Sequence, residues 1–500
     1  MPTTTTATVL LTAPAALPAA AAALHGAAGW RRTEWVGVAT AIGLLTTGAG
    51  LAAVTRGGPV TALGGLLRAD ALTAFMLLVI GAVALIATWT APAYLSGEVA
   101  AGHANERTAT RYGVLVQAFL AAMCLAVLAG NLGVLWVAVE ATTITTAFLV
   151  GHRATRAAVE AAWKYVVICS VGITLAFLGV VITHYAAQHG PVPAGRGLDL
   201  ATLATTPGLD PGVMRIAVAL LVIGFGTKAG LVPLHAWLPD AHSQAPAPVS
   251  ALMSGVLLSV AFYAILRVKA IADTALGVGF ARTLLLVVGL ASLALAASLL
   301  IGQRDYKRML AYSSIEHMGL LAVGAAIGTR LAIAAVLLHI LGHGLAKSVL
   351  FCGAGHVLHA TGSSRITAVR SLATRNPLLA GTFGAGLIGL VGFPPFALFA
   401  SELGIARAGF AADLGWAIAA AFALVLVVSA ALLTHTGRML LGPPPDPVEG
   451  GTVAVVTPVA LTRSAAAPLL LGLVACGVVG LVAAPLTRLL ADAAAVVGTP

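Results

Sequence analysis

Apolar residues come along this chain in long unbroken stretches, separated by short polar or Gly/Pro-rich breaks, and not in strand-like alternation. A helix needs about 20 mostly apolar residues to cross a bilayer, and about fourteen stretches meet that length. They fall near 7–25, 35–54, 70–94, 113–130, 131–151, 163–186, 212–235, 248–271, 281–301, 308–328, 331–357, 377–406, 413–441 and 465–490, with a division at Asn131. Continuous runs predict helices and not barrel strands, because an unpaired backbone cannot sit in lipid. The expected fold is therefore an all-α integral membrane protein with a single polytopic domain over 1–500. Two longer Pro/Gly-rich breaks, 187–211 and 442–458, read as extramembrane loops.

Composition agrees. The 500 residues are 59% hydrophobic and only 9% charged, with a mean hydropathy of +1.01, where soluble domains carry about 25% charged residues. The formal charge of +10 comes from basic residues spread thinly between apolar runs, which suits anionic lipid headgroups and not nucleic acid. Membrane lipids are thus expected partners, and no nucleic acid is. More Lys and Arg fall in the odd-numbered loops, which predicts that those loops are cytoplasmic. The N-terminal run lacks a basic leader and reads as a retained first helix. Cys124, Cys169, Cys352 and Cys476 stand far apart in apolar runs, so no metal clip or iron–sulfur ligand set is expected and this chain is expected to bind no cofactor. Walker, Rossmann and nucleophile-elbow motifs are missing too, which excludes the familiar soluble active sites.

Two runs echo each other. In the seventh, Lys228 is followed by Gly230, Pro233 and Trp237; in the twelfth, Gly392, Pro395 and Phe399 are followed by Glu402. A Pro/Gly interruption frees backbone carbonyls and breaks a helix inside the membrane, and paired breaks in two halves point to an inverted-repeat transporter.

Ionisable groups inside such runs are expensive and mark function. Glu140 lies midway along its run, and Lys228 beside the break is its natural partner. A desolvated lysine releases its proton easily, a nearby carboxylate opposes that release, and a separable pair is consequently a proton switch. His339, His343 and Lys347 recur every four residues, stacking three protonatable groups over roughly 12 Å of one helix face. The two histidines alone resemble half of a zinc site, but the glutamate and third ligand are missing, so no metal is expected. His317 and Glu402 extend the polar series, with Glu316 a less certain carboxylate partner. His235, Asp240 and His242, just past the seventh run, form a candidate way in or out for protons. Glu160 and Lys164 have the spacing of an ordinary edge salt bridge. Arg304, Asp305, Lys307 and Arg308 read as a loop anchor, and Arg267 and Lys269 as interfacial.

These motifs resemble the antiporter-like, proton-conducting membrane subunits of respiratory complex I, Mrp-type cation antiporters and membrane-bound hydrogenases. The likeness is closest to the hydrogenase-4 component F type, through WVAVEATTITTAFLVG, EAAWKYVVICSVGITLAFLG, FGTKAGLVPLHAWLPDAHSQAPAPVSALMSG, DYKRMLAYSSIEHMGL and GHGLAKSVLF. The resemblance implies fourteen helices in two inverted five-helix repeats, here 113–271 and 281–441, with helices seven and twelve broken. It assigns proton transfer to Glu140, Lys228, Lys347 and Glu402. One departure stands out: several relatives carry a lysine or histidine within helix eight, where this chain offers only Ser254 and Ser259.

The resulting expectation is a non-redox, ion-translocating subunit of a multi-subunit oxidoreductase in the cytoplasmic membrane, with redox cofactors in partner subunits. The alternatives are an autonomous or Mrp-like cation/proton antiporter and a non-conducting structural subunit.

Overall fold

The computed structural model describes residues 4–443, 461–482 and 484–498. Seventeen of its helices form the membrane body and its interior. The first nine are α1 (Thr4–Ala28), α2 (Val36–Val54), α3 (Ala71–Ala100), α4 (Glu106–Leu128), α5 (Leu132–Val150), α6 (Arg156–Gln188), α7 (Pro211–Ala229), α8 (Trp237–Gln244) and α9 (Ala247–Leu276). The remainder are α10 (Val278–Ile301), α11 (Tyr306–Ile327), α12 (Arg330–Thr361), α13 (Pro377–Leu390), α14 (Ala397–Ala411), α15 (Gly415–Leu441), α16 (Arg463–Leu481) and α17 (Ala484–Ala495). Among the described residues thirteen helices are long and apolar enough to cross a membrane. The expected twelfth run supplies one more crossing, split into α13 and α14. The chain is an all-α, multi-pass membrane protein.

Several helix starts share one device. Asp70, Asn131, Asp210, Asp305 and Thr329 each stand just before an apolar run and accept a hydrogen bond from the backbone N–H three residues on. Such caps satisfy donors that lipid cannot. The division at Asn131 is real, and Asn131 makes it.

Burial separates axis from rim. The apolar windows of α9 and α11 are wholly enclosed, and α12 nearly so. In contrast α5 and α6 turn Val137, Ile144, Phe148, Trp163, Val167 and Val171 outward, as lipid-facing helices do. The polar residues of α9, α11 and α12 are therefore interior by position.

Both expected breaks are present. The first separates α7 from α8 at Gly230, whose φ of 76° suits glycine; the freed carbonyl of Thr227 accepts the Trp237 Nε1–H at 2.8 Å, and Ser292 Oγ accepts the Val232 N–H at 3.0 Å. The second separates α13 from α14 at Gly392, φ 74°. A side chain at Gly392 would run into the Glu402 carboxylate, so Glu402 folds back over the break.

Some details differ from expectation. Periodicity gave no sign of the hairpin pairing Val60–Ala62 with Leu67–Ala69, which turns at Gly64 and Gly65, both at positive φ. The 187–211 loop contains a short helix, Leu200–Thr205, capped by Asp199. The run expected at 465–490 is two helices, α16 and α17. The break at 442–458 lies outside the described residues, apart from its first two.

Candidate functional site

Lys228 is wholly buried on the last turn of α7. Its Nζ donates to Thr143 Oγ1 at 3.0 Å and to the Tyr165 hydroxyl at 2.7 Å, and lies 4.9 Å from the Tyr165 ring centre. Thr143 in turn donates to Glu140 Oε2 at 3.0 Å, and Tyr165 is hydrogen-bonded to Thr146. The Glu140 and Lys228 pair is thus brought together, but through one hydroxyl and not by direct contact. Among the described residues no carboxylate oxygen lies within 4 Å of Lys228 Nζ. Sequence reasoning missed Thr143 and Tyr165. The signal for Thr143 was its place three residues past Glu140, on the same helix face.

From Lys228 the interior continues along α8. The Tyr165 and Trp237 rings meet edge to face with centres 5.0 Å apart, and the Trp237 and His242 ring centres are 6.4 Å apart. His242, expected at a way in or out, has no exposed surface; it stacks on Phe351 at 5.2 Å, and neither ring nitrogen has a hydrogen-bond partner among the described residues. α8 turns inward after the break, which a reading of linear sequence places outside the run. Its companions differ: His235 is half-buried, and Asp240 is bound by Lys164 at 3.1 Å and Arg308 at 2.8 Å. Lys164 also meets Glu160 at 2.7 Å, with the Glu160 side chain 61% exposed, so this is an edge salt bridge of small energetic weight.

Three basic residues read as edge groups are interior ones. Lys307 is buried, with Nζ donating to the carbonyls of Ser243 at 2.8 Å and Ala245 at 2.9 Å. Arg267 makes a two-pronged pair with Asp70, at 2.7 and 2.8 Å, and its Nε donates to the Tyr263 hydroxyl. Lys269 is likewise buried, against Asp273 at 2.5 Å. Each lies near a helix end, where sequence suggests an interface; packing from α3, α8 or the neighbouring turn covers it instead.

The second cluster joins α11, α12 and α14. Lys347 donates to the Leu310 carbonyl at 2.7 Å and to Ser313 Oγ at 2.5 Å. His343 lies 5.0 Å from His317, ring centre to ring centre, and His317 Nδ1 meets His339 Nε2 at 3.1 Å. His339 Nδ1 then meets Ser401 Oγ at 2.9 Å, while Ser401 donates to the Leu398 carbonyl at 2.8 Å. Because the serine proton is committed to that carbonyl, the serine oxygen accepts the His339 Nδ1–H, and His339 Nε2 accepts the His317 Nδ1–H. His317 Nε2 is left facing Glu316 Oε2 at 3.4 Å, a contact that is attractive when a proton is shared between them. The four-residue spacing of His339, His343 and Lys347 places all three inside, and folding adds His317 and Glu316 from α11 and Glu402 next to Ser401.

Helix eight of the resemblance corresponds to α9. Its Ser254 bonds Ser314 at 2.8 Å, while Ser259 reaches only its own helix at Gly255 O, 3.4 Å. Residues Met253–Leu257 form a π-helical turn, and Gly255 and Gly344 there pack backbone to backbone, with no room for a side chain at either. Lys347 comes close to this gap: it bonds Ser313, beside the Ser314 that bonds Ser254, and follows Gly344 by three residues. Among the described residues no group of three or more His, Cys, Asp or Glu side chains is arranged to hold a metal ion, and the four cysteines are buried singly.

Residues 129–427 match the family profile described as NADH:quinone oxidoreductase/Mrp antiporter, transmembrane. The chain is 37% identical over 346 residues to a hydrogenase-4 component F homolog of Methylacidiphilum infernorum, covering 68% of this chain and 72% of that one. It is 36% identical over 324 residues to the NADH-quinone oxidoreductase subunit N of Desulforudis audaxviator, covering 64% and 61%. Its fold matches a chain of the Mrp complex from Dietzia sp. DQ12-45-1b, with a TM-score of 0.84 at 23% identity over 99% of this chain and 98% of that one.

Proposed function

Since the chain belongs to the NADH:quinone oxidoreductase/Mrp antiporter transmembrane family, we propose that it is the proton-translocating subunit of a membrane-bound oxidoreductase complex of the hydrogenase-4 or NADH-quinone oxidoreductase kind. In this reading it sits in the cytoplasmic membrane, the redox cofactors belong to neighbouring subunits, and two repeats, 113–271 and 281–441, each contribute half of the polar axis.

The observation that carries the proposal is Lys228: a wholly buried amine held on two neutral hydroxyls, one of which links it to Glu140. An ammonium in an apolar interior is costly unless a carboxylate balances it. A small displacement of Glu140, driven by a redox step in an adjoining subunit, therefore decides whether Lys228 keeps its proton. The released proton passes by His242 toward Lys347 and His343, then along His317 and His339, and Glu402 over the second break governs its release. Fixed dipoles, the carbonyl of Leu310 among them, stabilise each charged form without large rearrangement.

The test is donor-driven proton uptake in inverted vesicles carrying the intact complex, with Lys228→Ala and Glu140→Gln compared at equal assembly and with sodium varied. Electron transfer that persists while pumping falls in both variants supports the proposal. Unchanged pumping makes this a structural subunit, and ion exchange in vesicles without an electron donor makes it an antiporter, the reading to which the Mrp-complex fold match lends weight.

A further inference from the structure

The polar axis leaves one group of titratable residues unused. Near the C-terminal end of α3, Glu98 is 4% exposed. Arg153, from the loop between α5 and α6, grips it with Nε to Oε2 at 2.9 Å and Nη2 to Oε1 at 2.6 Å, and His359 Nε2 approaches the same Oε1 at 2.8 Å. Tyr94 accepts from Arg153 at 3.2 Å and stacks on the His359 ring at 4.9 Å. Glu98, Arg153 and His359 form one wall of a cavity of 660 Å³ bounded by α3, α12, α13 and α16, a volume that accommodates about 20 waters at ~30 Å³ each. His103 and His356 also line it, and His356 Nε2 has no hydrogen-bond partner among the described residues.

Everything here belongs to one face of the protein. His103 follows α3, Arg153 follows α5, His359 closes α12 and Lys307 opens α11, so all lie on the side of the odd-numbered loops. Lys307, buried at the start of α11, feels the charges of Arg153, Asp305 and Glu98. Its amine rests on the carbonyls of Ser243 and Ala245, and His242 precedes Ser243 in the chain. Among the described residues no carboxylate oxygen lies within 4 Å of Lys307 Nζ, so losing its proton breaks no ion pair. An Arg153–Glu98 pair alone would suffice to staple a loop to α3. It does not account for a histidine on the same carboxylate oxygen, two more histidines around the cavity, and a buried lysine resting on the carbonyl next to His242.

We infer that this cavity collects protons from the face of the odd-numbered loops, and that His359, Glu98 and Lys307 deliver them sideways into the axis at His242. The inference rests on the proton-translocating reading and adds the uptake route. Each transfer balances: protonated His359 gives its Nε2 proton to the Glu98 carboxylate; the carboxylic acid gives it by way of water to the neutral Lys307 amine; the ammonium gives it to the neutral His242 imidazole. Glu98 and Lys307 end as they began, His359 ends neutral and regains its proton from cavity water, and His242 carries one added proton.

The experiment uses the intact complex in inverted vesicles, where cytoplasmic loops face the medium, and reads pumping per unit of electron transfer for His359→Ala, Glu98→Gln and Lys228→Ala. The expected result is a loss of about tenfold in His359→Ala that imidazole in the medium restores, as a diffusible base does for a missing proton carrier. A merely structural role for His359 gives no imidazole rescue. Should Glu98→Gln fail to assemble, His356→Cys serves instead: a charged, membrane-impermeant thiol reagent added to the medium must label it and block pumping. Normal pumping in His359→Ala and in labelled His356→Cys, with Lys228→Ala inactive, overturns this route and leaves the axis standing. Normal pumping in Lys228→Ala overturns the axis itself.

Discussion

Between the Lys228 ammonium and the Glu140 carboxylate stands a single hydroxyl: Thr143 accepts from Lys228 at 3.0 Å and donates to Glu140 at 3.0 Å. A direct ion pair would bind the proton to the lysine tightly. A bridged one couples the two charges while leaving either free to move. Thr143→Val keeps the shape and removes the bridge. Hydrogen bonds to charged groups contribute ~1.5–3 kcal/mol, so pumping is expected to fall about ten- to a hundredfold at unchanged assembly, with Thr143→Ser close to wild type. The vesicle proton-uptake assay reads both. Equal pumping in Thr143→Val would mean that the bridge carries nothing.

Ser401 orients the histidine pair. Ser401→Ala leaves the buried His339 Nδ1–H without its acceptor, a cost of ~1–3 kcal/mol. Lower thermal stability of the detergent-solubilised protein is expected together with slower pumping, whereas Ser401→Thr should preserve both. A Ser401→Ala protein as stable as wild type would show that His339 finds another partner.

The Asp70–Arg267 pair makes the opposite prediction. It ties the start of α3 to α9 and touches none of the axis residues. Removing one partner, as in Asp70→Ala, leaves an uncompensated buried charge at a cost of ~3–5 kcal/mol. The unfolding temperature and the yield of assembled complex should drop, and pumping per assembled complex should not. Reduced pumping in the assembled fraction would assign the pair to the conduction path.

Gly392→Ala probes the second break. A non-glycine residue in the left-handed region costs ~1–2 kcal/mol, and here the added methyl also meets the Glu402 carboxylate. Pumping should slow because Glu402 is displaced, while Gly381→Ala in the middle of α13, where no neighbouring atom lies within 4 Å of the added carbon, should have little effect. Equal behaviour of the two variants would separate Glu402 from the break.

The family profile matches the stretch that carried the resemblance. The sequence by itself determined the class and the outline, because membrane insertion is a local rule: about 20 apolar residues make a crossing, an Asp, Asn or Thr before the run caps it, and Pro with Gly breaks it. That is why the division at Asn131 and the breaks at Gly230 and Gly392 were legible. It also singled out Glu140, Lys228, His339, His343 and Lys347, since an ionisable residue inside an apolar run is conspicuous whatever surrounds it. What pairs with what was decided only by tertiary structure. Thr143, Tyr165, Ser313 and Ser401 are ordinary hydroxyl residues until helices far apart in sequence bring a cation or an imidazole onto them. Helix ends misled in the same way: Arg267, Lys269 and Lys307 stand where a chain would reach water, and only the packing of neighbouring elements over those ends turns them inward, where a charge must find a partner.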